Sequence, residues 1–204
     1  MSGQGLAVFD VDGTLVAGDL LGPLVRAALR RRPARSALVA AALPAIAWHR
    51  AARRPGAAKE LLLRAALGGL EAGVADGLGA AVAARAPLNA EVAAALAGHR
   101  ARGDAVWLAS AQVEPVIAPL ARRLRADGHV ATALQARGGR LTGRYAQGNC
   151  RGEAKVAALA AAVGRDRLAS ACAYADSPAD LPLMRAVARA RWVRRGRISP
   201  GGHG

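Results

Sequence analysis

Lysine, cysteine, acidic and aromatic residues are all scarce in this sequence, and each scarcity excludes something. Two cysteines among 204 residues, Cys150 and Cys172, cannot build a disulfide framework or a four-ligand zinc site on their own. Aromatic residues make up only 3%, which argues against a stacking surface for single-stranded nucleic acid. Of 29 basic residues just two, Lys59 and Lys155, are lysine, set against 14 acids and 54 alanines. An arginine and alanine excess of this kind is what a GC-rich coding bias produces. The net charge of +15 therefore favours polyanions or anionic membrane surfaces without selecting among them. The same skew makes each acid and each lysine more informative than usual. No signal peptide is expected, because the chain reaches a charged segment by Asp10, and a cytoplasmic, reducing location is the default expectation. What the chain does have is 53% hydrophobic residues, enough to bury a sizeable core in one domain or a core with an insertion.

Leu6-Ala-Val-Phe-Asp10 is a short apolar run ending in an acid, the pattern of a buried parallel strand, and Asp12-Gly13-Thr14 reads as the turn after it. Residues 20–85 form a helical block, with helices expected over Leu20–Leu29, Ser36–Ala52, Ala57–Leu67 and Leu70–Ala84. Pro33, Pro55-Gly56, Gly68-Gly69 and Pro87 punctuate it. Beyond Pro87, strands alternate with helices. Asn89 is placed to cap a helix, and strands are expected at Ala105–Ala109, Val130–Leu134, Ala171–Ala175 and Ala190–Val193. Helices fall near Glu114–Ala126, Glu153–Val163 and Leu181–Val187, and Gly138-Gly139 joins a β-hairpin of Gln135–Arg137 and Arg140–Gly143. The implied fold is α/β, a Rossmann-like parallel sheet with an all-helical cap inserted after its first strand. Residues 1–18 and 86–204 are the expected core and 19–85 the expected cap, with 198–204 a frayed tail. Such a core places its site at the carboxyl ends of its parallel strands.

Unusual polar residues fall at those ends. Asp10 and Asp12 are two carboxylates, one at a strand end and one in its turn, able to reach one reacting centre as nucleophile and proton carrier. The competing reading is an ordinary Asp-Gly turn. Ser110 follows a strand, where a hydroxyl can donate to a phosphate oxygen or merely cap a loop. Lys155 supplies a compact charge where the chain otherwise uses arginine, suited to phosphoryl oxygens, or else a solvated helix face. In Asp176-Ser-Pro-Ala-Asp180, Ser177 reads as a helix N-cap, which explains Asp180 and leaves Asp176 unexplained. The four histidines (49, 99, 129 and 203) show no ligand spacing and read as incidental, and both cysteines read as packing residues.

The order acid pair, hydroxyl, lysine, acid pair resembles the haloacid dehalogenase superfamily of phosphohydrolases across essentially the whole chain. Ser110-Ala111 with Glu114, the Arg140-Leu-Thr-Gly-Arg144 hairpin, Asn149-Cys150 with Gly152 and Lys155, and Tyr174-Ala-Asp-Ser177 with Asp180 are similar to its phosphoserine phosphatase-like branch, subfamily IB. The resemblance implies a phosphatase in which Asp10 forms an aspartyl-phosphate and Asp12 is the general acid and base. It also implies Mg²⁺ held by Asp10, Asp12 (through its carbonyl) and Asp176. Ser110 and Lys155 would bind phosphate, with Asp180 and Thr14 in support and Asp19 at a substrate-specificity position. The chain departs from the branch at Gln112, where a serine is common, at Ser177, where a glycine often stands, and at Asp19, one methylene shorter than the usual glutamate. These departures count against phosphoserine itself.

The expected ligand is a phosphorylated small molecule or a phospholipid headgroup. The twelve-residue apolar run Ala37–Trp48, interrupted by Pro44 and flanked by arginines, is too short to span a bilayer. It suits either a membrane interface or, the reading preferred on sequence, a helix buried within the cap. Peripheral contact with an anionic membrane is therefore one expectation. Nucleic acid is not an expected partner, since no basic–aromatic alternation or helix-turn-helix pattern appears. A basic nucleic-acid binder that retains the fold without catalysis is the alternative.

Overall fold

The computed structural model describes residues 5–199. At its centre lies β1 (Leu6–Phe9), buried at every residue. Neighbouring strands are β2 (Ala105–Val113), β3 (Gly128–Thr132), β6 (Cys172–Ala175), β7 (Arg189–Arg194) and β8 (Arg197–Ile198). They make one sheet of order β3-β2-β1-β6-β7-β8, parallel except for the β7–β8 pair. Side chains alternate between two apolar layers. Ala7 and Phe9 join Val106, Leu108 and Tyr174 on one face, whereas Leu6 and Val8 join Ala105, Ala173 and Leu159 on the other. Burial of both faces is why these strands read as unbroken apolar runs rather than alternating ones.

Five helices separate β1 from its sheet neighbour β2: α1 (Leu21–Arg31), α2 (Arg35–Ala51), α3 (Pro55–Leu67), α4 (Ala72–Ala84) and α5 (Ala90–Ala101). The breaks between the first four fall at the expected Pro and Gly positions. A hairpin of β4 (Leu134–Arg137) and β5 (Arg140–Tyr145) reaches up from the core against α3. There the Tyr145 amide donates to Glu60 Oε1 at 3.0 Å, and its hydroxyl donates to the Gly56 carbonyl at 2.9 Å. On the other side α4 packs on α6 (Glu114–Leu124) so closely that a Cβ at Gly79 would lie 1.8 Å from the Pro115 carbonyl oxygen. The remaining helices are α7 (Glu153–Val163), α8 (Arg165–Ala169) and α9 (Leu181–Ala186), with a 3₁₀ turn at Pro178–Asp180.

The structure corrects the sequence reading in five places. First, β2 runs on past Ala109 to Val113 through a register shift, so Ser110 lies within an irregular strand end rather than after it. Second, α8 was not expected at all. Third, Asn89 stands at the N-cap position but does not cap, because its Nδ2 donates instead to the Thr14 carbonyl at 2.6 Å, tying α5 to the turn after β1. Fourth, Ile198, expected to begin a frayed tail, ends β8, and its amide donates to Glu91 Oε1 at 3.1 Å; residues 200–204 lie outside the described residues. Fifth, α2 is not a buried cap helix. Only Ile46 is buried along it, and Leu38, Leu43 and Trp48 are 50%, 55% and 59% exposed.

Candidate active site

Asp10 follows the last residue of β1 and Asp176 the last residue of β6, and the two strands pair in parallel with Phe9 opposite Tyr174. Two carboxylates are thereby delivered to one edge of the sheet. Lys155, in the first turn of α7, reaches the same point. Its Nζ donates to Asp10 Oδ1 at 2.7 Å and to Asp180 Oδ1 at 2.5 Å, and only 2% of its side chain is exposed. Burial pulls an ammonium pKa down, but the two carboxylates outweigh this and hold Lys155 above its ordinary value, so it stays charged. The Thr14 hydroxyl, fully buried, donates to Asp176 Oδ1 at 3.1 Å. The turn between Asp12 and Thr14 admits Asp176 only because residue 13 is glycine. Gly13 has φ +81°, and a Cβ there would lie 2.2 Å from Asp176 Oδ2.

Asp10, Asp176 and Asp180 each offer a carboxylate oxygen, and the three oxygens lie within 4.8 Å of one another. Three carboxylates face one ammonium, so the cluster carries excess negative charge. Burial, only partly offset by Lys155, raises the pKa of Asp10 to about 6, and burial also lifts that of Asp176. An all-oxygen donor set of this charge fits a hard divalent cation such as Mg²⁺. Asp180, expected only to orient its neighbours, belongs to this group as fully as Asp176.

Asp12 points the other way, toward the cap. Its Oδ1 accepts from the Leu20 amide at 3.0 Å, and its Oδ2 lies 3.4 Å from Gln112 Nε2. Burial raises the Asp12 pKa to about 7, against the lowering effect of the Leu20 amide. Ser110 is buried, and its Oγ accepts from the Gln112 amide at 3.0 Å, leaving its own hydrogen to donate. The structure thus brings Asp10, Asp176, Asp180, Lys155 and Thr14 into direct contact or one cluster. Asp12 and Ser110 flank it, linked through Gln112.

Asp19 lies on the cap side, with its Oδ1 bonded to the Leu21 amide at 2.5 Å and 3.5 Å from Gln112 Nε2. It lines a cavity of about 160 Å³ together with Ile46, Arg50, Lys59 and Leu62. Sequence reasoning missed two residues beside Asp19, one on the core and one lining the cavity. Gln112 was noted only as a departure from the family pattern, yet it spans Asp12 and Asp19. Lys59 projects from α3 across to the core and donates to the Ala111 carbonyl, beside Ser110. Burial lowers its pKa to about 8, despite the opposing pull of Asp12 and Asp19. The signal was available, since Lys59 is the other of the chain's two lysines.

His99 is not incidental either. Its Nδ1 is 2.7 Å from Asp104 Oδ2 and its Nε2 is 3.0 Å from the Tyr174 hydroxyl. The carboxylate assigns the proton to Nδ1, and Nε2 accepts from the tyrosine. Tyr174 in turn stacks on Phe9, with ring centroids 4.5 Å apart and planes within 3°. This buried assembly lies directly behind Asp10 and Asp176. His129 pairs with Glu114 Oε1 at 2.7 Å, and His203 lies outside the described residues.

Comparison with known proteins bears on the family and the fold. A protein of unknown function from Bordetella pertussis Tohama I has a similar structure, with a TM-score of 0.73, 26% identity, and coverage of 92% of this chain and 88% of that one. A substrate-bound phosphoserine phosphatase shares the fold at a TM-score of 0.65 and 16% identity, over 93% of this chain and 86% of that one. Protein CicA of Caulobacter vibrioides is 31% identical over 183 residues, 88% of this chain and 81% of the relative. A probable phosphatase of Mycobacterium tuberculosis is 39% identical over 107 residues, 51% of this chain but only 37% of that protein's length. Residues 7–185, which carry every member of the cluster, match the haloacid dehalogenase-like hydrolase family, and the chain belongs to that family.

Proposed function

We propose that the chain is a phosphatase that hydrolyses a phosphomonoester through an aspartyl-phosphate on Asp10. The observation that carries this reading is the cluster itself, in which a strand-end carboxylate is held 2.7 Å from a buried ammonium while a second aspartate, two residues on, faces the cap. A carboxylate oxygen of Asp10 attacks phosphorus as the bond from phosphorus to the leaving oxygen breaks. Asp12, protonated, gives its proton to that oxygen and becomes a carboxylate. It then takes a proton from water as the water oxygen attacks phosphorus, the bond to Asp10 breaks, and inorganic phosphate and free Asp10 result. Lys155 and the Ser110 hydroxyl bind the transferring phosphoryl oxygens. Asp10, Asp176 and the Asp12 carbonyl would hold Mg²⁺, with the Asp180 carboxylate beside them, and when bound the ion supplies the positive charge that lets an anionic phosphate approach three carboxylates. Thr14 fixes Asp176.

The leaving group lies against Asp19, Lys59, Arg50 and Ile46, a wall of mixed charge and modest size. A phosphorylated small molecule or a phospholipid headgroup fits such a wall, and residues 19–85 act as the specificity cap over a core of residues 1–18 and 86–204. The test is a phosphate-release screen with Mg²⁺ over amino-acid, sugar, nucleotide and lipid phosphates. Release from at least one class is expected, with loss of release in chelator. Release that persists undiminished in EDTA would overturn the mechanism. A salt-dependent gel shift without turnover of any phosphoester would favour the nucleic-acid-binding alternative.

A further inference from the structure

Helix α2 is an exposed element with an unusual surface. It contacts α3 along one side, where Ile46 is buried and Arg35 Nε and Nη2 donate to the Ala65 and Arg64 carbonyls at 2.8 and 2.7 Å. At 100° per residue the opposite side carries Ala41, Pro44, Ala47 and Trp48, bordered by Leu38 and Leu43, all of them exposed. No charged side chain interrupts this outward face. A helix of 17 residues, about 25 Å long, would ordinarily turn its polar side to water, and this one turns an apolar side.

Charge frames the patch. Between residues 20 and 59 the chain has nine lysine and arginine residues and no acid, so nine of the fifteen net positive charges fall in these 40 residues. Arg30 and Arg31 stand before the apolar face, and Arg50, Arg53 and Arg54 after it, all of them exposed. No helix among the described residues is long and apolar enough to cross a membrane. An apolar face with arginine clusters at both ends, an indole near one end and no acid to repel phosphate is complementary to an anionic bilayer surface.

We infer that α2 is an in-plane docking helix for an anionic lipid bilayer, with Trp48 entering the headgroup boundary, Leu38 and Leu43 at the two margins of the contact and the flanking arginines on lipid phosphates. A partner protein would need its own acidic, apolar surface, and a second copy of this chain would bring nine positive charges against nine. The bilayer supplies the missing sign without that conflict. The inference is independent of the chemistry proposed for Asp10, because binding is read without turnover.

The test is flotation of the full chain with phosphatidylglycerol/phosphatidylcholine vesicles and with pure phosphatidylcholine vesicles. Flotation with the anionic vesicles is expected at low salt, falling at least about tenfold on neutral vesicles and again at high ionic strength. Trp48→Glu and Leu43→Glu, at exposed positions, are each expected to reduce it about tenfold or more while leaving turnover of a soluble phosphomonoester and the circular dichroism spectrum as in the wild type. Absence of flotation on anionic vesicles at low salt would overturn the inference. So would flotation indifferent to both substitutions, since the charge alone would then explain it. A concentration-dependent dimer that Trp48→Glu dissolves, without flotation, would assign the face to a second copy instead.

Discussion

Lys155 stands in a chain that uses arginine for 27 of its 29 basic residues, and its surroundings give the reason. An ammonium presents three donors on a compact centre and fits between Asp10 and Asp180, whereas a planar guanidinium would force the two carboxylates apart. Lys59 follows the same logic at the cap, where it reaches the Ala111 carbonyl beside Ser110. Scarcity was therefore a real signal, and it was followed for one lysine and not for the other. Asp10, Asp12, Asp176 and Lys155 were legible because each falls at a strand end or helix start that periodicity locates. Gln112 and Lys59 were not, since their meaning depends on which parts of the cap face the core. At this scale the proposed division of labour predicts that Asp12→Asn lowers phosphate release by about 10²–10⁴-fold while leaving fold and phosphate binding in place. Single-turnover kinetics with a good and a poor leaving group check it. The loss should be larger for the poor leaving group, which needs its oxygen protonated.

Elements that align the site are held from behind. Phe9 and Tyr174 pair across β1 and β6, and His99 on α5 ties the tyrosine hydroxyl to Asp104. Burial holds the His99 pKa below its ordinary 6.5, outweighing the hydrogen bond to Asp104, so the folded chain resists a proton that the unfolded chain accepts. The unfolded state then binds more protons, and this group makes stability fall as the pH drops through about 6.5. His99→Gln should cost about 1–3 kcal/mol near neutral pH through the lost pairings and should flatten that part of the pH dependence. Urea denaturation of both proteins across mildly acidic pH measures both effects. The order and type of the elements were readable from periodicity and from Gly and Pro, with the exception of α8, which is a single short turn and a half of helix. The fate of α2 was not readable. An apolar count says that a helix wants cover without saying whether the same chain provides it, and here only α3 does.

Across the whole molecule, charge and architecture separate into two regions. The segment 20–59 holds nine basic residues and no acid, whereas the clustered carboxylates of Asp10 and Asp176 come from strand ends of the sheet and that of Asp180 from the 3₁₀ turn that follows. A positive cap segment thus adjoins a cluster of carboxylates, and on the proposed mechanism a bound cation would reconcile that cluster with an anionic ligand. The haloacid dehalogenase-like fold supplies the strand ends, and the inserted helices supply the cavity wall beside Asp19 and the exposed apolar face. In the proposed mechanism the phosphoryl group passes to a single side chain, Asp10. Rapid acid quench of the enzyme turning over a phosphorus-labelled substrate, followed by peptide mapping, tests it most directly. Label is expected on the Asp10 peptide, chased by unlabelled substrate and absent from Asp10→Asn. Label on another residue, or undiminished turnover by Asp10→Asn, would contradict it.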